Sequence, residues 1–193
     1  MNRRFIVLAI GAAAVLAGLG GLAVFLSGGG SEAQVEGASL AKSVQRSAVS
    51  GAVIHAETFH DLNGQKQALG QWAGKHLLIN FWATWCPPCV EEMPRLNAWS
   101  ASSPKNIQIV GIAADSVANV EKFRNQHRIS FPLMIEEAKS IEFSKRLGNR
   151  TGLLPFSVLL DPGGEVVATF LGVLDDDKIQ QITRISSNSA KDD

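Results

Sequence analysis

Cys86 and Cys89 are the only two cysteines of this 193-residue chain, and they sit two residues apart within "NFWATWCPPCVEEMP" (Asn80–Pro94). The apolar run before them, "HLLINFW" (His76–Trp82), reads as a buried strand. Behind them Val90, Met93, Leu96 and Trp99 recur every three residues as one face of a helix. Cys86 is therefore expected at or next to the helix N-cap. Unpaired N–H groups and the positive end of the helix dipole favour thiolate there, which makes Cys86 an attacking nucleophile. Cys89, one turn later, is placed to reach the Cys86 sulfur and close a disulfide. Pro87 and Pro88 suit a first helical turn, whose N–H groups lack intrahelical partners in any case.

Other uses of the pair need weighing. A purely structural disulfide would close a very small loop and constrain the unfolded chain little. A zinc site needs four ligands, and the four histidines (His55, His60, His76, His127) are scattered with no paired spacing. Copper(I) held by two thiolates is chemically reasonable, so a copper-binding assembly chaperone is the alternative to redox chemistry. A disulfide-donating oxidase would run the same residues in reverse.

The two neighbouring acids must face differently. Glu91 lies four residues before Arg95, the spacing of a solvated surface pair. Glu92 lies three residues after Cys89 and four before Leu96, on the apolar side. A carboxyl there is partly desolvated, which raises its pKa and suits it to exchange a proton with the Cys89 sulfur. Pro94 removes one helical hydrogen bond and is expected to kink the helix without a chemical role.

Several further elements must hold this motif in place. "IQIVGIAA" (Ile107–Ala114) reads as a second buried strand, followed by a capping pair, Asp115-Ser116, and a helix face marked by Val120, Phe123 and His127. A short strand at Phe131–Ile135 and a helix at Ala138–Leu147 come next. "FSVLLD" (Phe156–Asp161) and "EVVATFLG" (Glu165–Gly172) flank a "DPGG" turn, and Asp175–Asp177 open a final helix. Upstream, Asn63-Gly64 signals a hairpin. The order predicts an α/β domain over 52–186, a mixed sheet with helices on both faces, and a frayed tail at 187–193.

The N-terminus is of another kind. Phe5–Leu26 carries no charged residue and follows Asn2-Arg3-Arg4, while small and acidic residues come after it. At ~1.5 Å per residue it reaches across a hydrocarbon core of about 30 Å. The positive-inside rule leaves the N-terminus in the cytoplasm and sends everything after Ser27 outward, so residues 1–26 read as a cytoplasmic start and an uncleaved transmembrane signal-anchor. A cleavable signal peptide is the runner-up, though its apolar core is ordinarily shorter. Residues 27–51, rich in Gly, Ser and Ala, read as a flexible linker. Formal net charge is zero and no basic cluster appears, so nucleic acid is not an expected partner.

The segment "NFWATWCPPCVEEMPRL", with Trp82, Trp85 and Pro94, and Pro155 opening a strand about seventy residues later, resembles the TlpA/ResA-type membrane-anchored thioredoxin-like thiol–disulfide reductases. The likeness covers Ala52–Ile185. It implies a thioredoxin-like fold with a central helical insert behind one transmembrane helix, in a bacterial cytoplasmic membrane, with the domain facing the periplasm or cell exterior. It implies that Cys86 and Cys89 form the redox disulfide and that Glu92 is the acidic residue beneath it. It further implies that Leu154-Pro155 is a cis bond beside the cysteines, where the Leu154 backbone and the Trp85 platform meet an extended substrate. Asn80 stands where thioredoxins proper place a buried aspartate, and it does not titrate. The implied partners are protein disulfides, such as those of apocytochrome c or respiratory-oxidase copper-site cysteines, and a membrane thiol electron donor. No cofactor and no resident metal are implied. Haem-maturation members often carry an acidic residue just after the cis-proline, where this chain has Phe156-Ser157.

Overall fold

The computed structural model describes residues 49–188. In chain order they form α1 (Gly51–Ala56), the hairpin β1 (Thr58–Asp61) and β2 (Lys66–Ala68), a short 3-10 turn (Leu69–Trp72), β3 (His76–Trp82), α2 (Pro87–Ser102) and β4 (Ile107–Ala113). Next come α3 (Val117–His127), β5 (Leu133–Ile135), α4 (Glu137–Arg146), β6 (Phe156–Leu160), β7 (Val166–Leu171) and α5 (Asp176–Asn188). The seven strands make one mixed sheet in the order β2-β1-β5-β4-β3-β6-β7. β3 pairs parallel with β4 and antiparallel with β6.

All of β3 is buried, because helices cover both faces of the sheet. Leu78 and Trp82 pack on the face that carries Met93 and Leu96 of α2, Phe123 of α3 and Ile182 of α5. Leu77, Ile79 and Phe81 point the other way, toward Ile54 of α1 and Phe143 of α4. Strand alternation therefore puts Asn80 on the α2 side, between Leu78 and Trp82. Each fully buried Leu, Ile or Phe here stabilises the fold by roughly 1.5–3 kcal/mol. Such burial tolerates a local polar cost: the Trp82 indole N–H is enclosed without a hydrogen-bond partner. The indole fits because β4 carries Gly111, where an added Cβ would lie 3.1 Å from Trp82 Nε1 and 2.8 Å from Leu133 Cδ2.

The hairpin forms where Asn63-Gly64 places it, with Gly64 at φ 75° and Asp61 Oδ1 accepting from the N–H groups of Asn63 and Gln65. The "DPGG" turn also forms, closed by Gly164 N–H to Asp161 O at 2.9 Å. β5 is shorter than expected and starts at Leu133. Pro132 just before it has no N–H to give to a ladder, although its carbonyl accepts from Gly111. α2 runs through Pro94 to Ser102. α1 falls at the linker–domain boundary and was not expected there; it packs Ile54 into the core, and its Gly51 N–H donates to Glu165 Oε1 at 3.0 Å. α5 continues to Asn188, two residues into the expected tail. Among the described residues no helix is long and apolar enough to cross a membrane. The signal-anchor expectation for 5–26 and most of the linker lie outside the described residues.

Candidate active site

Cys86 is the N-cap of α2, with extended backbone (φ −100°, ψ 103°), and Pro87 and Pro88 fill the first helical turn. Its carbonyl accepts the first helical hydrogen bond, from Val90 N–H. Cys86 and Cys89 are joined in a disulfide, their Cα atoms 5.3 Å apart. Cys89 is wholly enclosed, whereas Cys86 keeps 5% of its surface open. Of the two, Cys86 is therefore the residue a partner could reach.

Glu92 lies one turn beyond Cys89 and is 1% exposed, while Glu91 faces solvent. Its two oxygens are held from different elements: Oε1 accepts from Asn80 Nδ2 of β3 at 2.7 Å, and Oε2 from the Leu174 N–H, just before α5, at 2.8 Å. Burial pushes this carboxyl above the usual range. The Leu174 and Asn80 bonds and the charges of Lys178 and Arg95 draw it back only in part. The Asn80 amide also donates to Ser157 Oγ at 3.0 Å, across the register pair Asn80–Ser157 of β3 and β6. Asn80 is therefore the fixed, non-titrating link between the strand and the one buried acid of α2.

Leu154-Pro155 is cis, as the resemblance implied. Pro155 precedes Phe156, which pairs with Phe81, so the loop lies across from the end of β3 that runs into Cys86. The Pro155 carbonyl is fastened to Gly172 N–H at 2.9 Å. The Leu154 side chain is half-buried against both core clusters, and its neighbour Leu153 is the exposed one. Trp85 is 65% exposed, yet its indole is anchored by donation to Ala114 O at 3.2 Å. The structure therefore gathers Trp85, Cys86, Cys89, Glu92, Leu154 and Pro155 at one end of the sheet.

Residue spacing gave no sign of three partners: Ser157, the Leu174 N–H, and Asp115. Asp115 reads from sequence as half of a helix cap. Ser116 is the actual N-cap, its Oγ accepting from Asn119 N–H, and Asp115 bonds Thr84 of the cysteine turn as well. The histidines stay apart from the cysteines: His127 stacks on Phe123, His60 pairs with Glu136, and His76 is buried at the far end of β3.

The Redoxin family model matches residues 42–184. The chain belongs to the Redoxin family. Among its relatives, the thiol-disulfide oxidoreductase ResA of Bacillus thuringiensis (strain Al Hakam) is 36% identical over 114 residues, covering 58% of this chain and 64% of that one. The chain thus spans a little under two thirds of that relative's length. ResA of Geobacillus thermodenitrificans (strain NG80-2) is 30% identical over 123 residues, 63% of this chain and 68% of that one. Among solved structures, the thioredoxin-related protein from Neisseria meningitidis serogroup B superposes with a TM-score of 0.60 at 30% identity, covering 68% of this chain and 99% of that one. The fold of this Redoxin-family chain is thioredoxin-like, with its cysteine pair at the strand-to-helix junction.

Proposed function

We propose that this protein is a membrane-tethered thiol–disulfide oxidoreductase that reduces the disulfides of other proteins outside the cytoplasm. The observation that carries the reading is the Cys86–Cys89 disulfide at the N-terminus of α2, with the Glu92 carboxyl buried one turn behind it. Its likeness to the ResA thiol-disulfide oxidoreductases supports the reaction class. The charge-free stretch Phe5–Leu26 after Asn2-Arg3-Arg4 supports the tether and the outward-facing domain.

The cycle starts from Cys86 as thiolate, Cys89 as thiol and Glu92 as carboxylate. The Cys86 sulfur attacks a substrate disulfide, forming a mixed disulfide and expelling one substrate sulfur as thiolate, which takes a proton from solvent. Cys89 passes its proton to Glu92 and attacks the Cys86 sulfur. The second substrate sulfur leaves and takes the proton that Glu92 holds. Two electrons and two protons have reached the substrate, and the protein is left as the Cys86–Cys89 disulfide. A membrane thiol donor must then restore the dithiol. The cycle needs no cofactor or resident metal. Cytochrome c or copper-site maturation is the process that best fits such a reductant.

The equilibrium reduction potential of the pair tests the direction. A value at or below about −230 mV supports a reductant, and a value near about −120 mV makes the protein an oxidant. Cys89→Ala, which lacks the resolving thiol, is expected to accumulate thiol-sensitive adducts with substrates in cells. Their absence would count against the mechanism.

A further inference from the structure

Asp115 has no part in the proton and electron transfers above, yet it is 5% exposed and both of its oxygens are saturated. Oδ1 accepts from Ser116 N–H at 2.7 Å and Asn119 Nδ2 at 2.9 Å, both at the start of α3. Oδ2 accepts from Thr84 twice, from its N–H at 2.8 Å and its Oγ1 at 2.5 Å. The helix start accounts for Oδ1 alone, since Ser116 already caps α3. Oδ2 acts elsewhere. Thr84 and Trp85 are the central residues of the turn closed by Cys86 N–H to Ala83 O at 3.3 Å. Trp85 is tied to the same junction through Ala114 O. Both central residues of the turn that delivers Cys86 are therefore fastened to the end of β4.

We propose that Asp115 is a positioning residue for Cys86: through Thr84 it clamps the Ala83–Cys86 turn to the β4–α3 junction, fixing where the Cys86 sulfur sits relative to the helix end. The exposed Trp85 indole is carried on the same clamped turn, so sulfur and apolar platform meet a substrate as one rigid unit. This use of the clamp rests on the thiol–disulfide reading.

Three variants of the full chain separate this role from helix capping. Thr84→Val keeps the side chain's shape and removes only the Oγ1–H donor. Asp115→Asn replaces one acceptor oxygen by an NH2 group that cannot accept. Asn119→Ala removes a bond on the helix side alone. The readout is the pH profile of Cys86 alkylation by iodoacetamide in the reduced protein, beside thermal unfolding. Thr84→Val and Asp115→Asn are expected to slow alkylation near neutral pH about tenfold and move its profile to higher pH, because the sulfur no longer sits squarely over the helix end. Asn119→Ala is expected to lower thermal stability and leave the profile in place. If Asp115→Asn does not fold, Thr84→Val decides. Wild-type profiles in the folded variants, or an equal shift in Asn119→Ala, would overturn the proposal and leave Asp115 a helix-capping residue. Alkylation needs no substrate, so this outcome is independent of whether the wild-type chain reduces a cystine peptide, which tests the thiol–disulfide reading itself.

Discussion

Asn80 Nδ2 and Glu92 Oε1 lie 2.7 Å apart in a fully enclosed contact between the central strand and the helix that carries both cysteines. An amide in that place gives the carboxyl a hydrogen bond but no charge. The proton affinity of Glu92 is therefore governed by burial rather than by a second acid.

Glu92→Gln is expected to slow resolution of the mixed disulfide about a hundredfold or more, the usual range for loss of a general acid–base, while sparing the first attack by Cys86. Single-turnover kinetics with a cystine peptide separate the two steps. Stability should respond to pH as well. The folded-state pKa of Glu92 is raised, so from about pH 4.5 upward the folded protein keeps a proton that the unfolded chain gives up, and stability falls as pH rises through that window. Relative to wild type, Glu92→Gln should be more favourable at about pH 7.5 than at about pH 4, as read from urea midpoints.

Asn80→Asp would set two carboxyls at hydrogen-bond distance in a closed site. They would share one proton and titrate as a coupled pair. The expected result is a pH–rate profile for resolution displaced upward from wild type, with stability that falls more steeply between about pH 5 and 8. Profiles that overlay would show that the Asn80 contact does not govern Glu92.

His76 offers a second pH handle, of opposite sign. It is 2% exposed with neither ring nitrogen bonded, and burial lowers its pKa below the ordinary 6.5 against an opposing pull from Asp161. Below about pH 6.5 the unfolded chain takes up a proton that the folded one resists, so stability falls as pH drops toward the folded pKa. His76→Phe should flatten this acid limb. Denaturation midpoints at about pH 5 and 7.5 check it, and an unchanged slope would remove His76 from the account.

Gly111→Ala is expected to destabilise by about 1–3 kcal/mol, since the added methyl meets the Trp82 indole and Leu133 in a packed layer. Thermal unfolding reads the loss. The reduction potential of the cysteine pair should change little, because the atoms nearest the added methyl belong to Leu133, Trp82 and Phe131.

What the sequence revealed follows the distance over which each contact acts. The Cys86 N-cap, the buried face of Glu92 and the hairpin at Asn63-Gly64 are all set within about a turn or two of chain, where residue type and spacing carry the information. Leu174 reaches Glu92 across 82 positions, and Asp115 reaches Thr84 across 31. Those bonds exist only once the sheet has closed, so no local pattern announces them. α1 escaped for a related reason: six residues with Ile54 and Gly51 buried show no readable period, and the helix is held by the 161–165 turn rather than by its own sequence.

That docking of α1 fixes a polarity. Gly51 sits against the turn after Leu160, whereas Pro155 and Cys86 lie at the other end of the same strands, roughly 15–20 Å away at ~3.3 Å per residue. The described chain therefore enters the domain at its base. The cysteine pair thus lies at the pole opposite the point where the described chain begins.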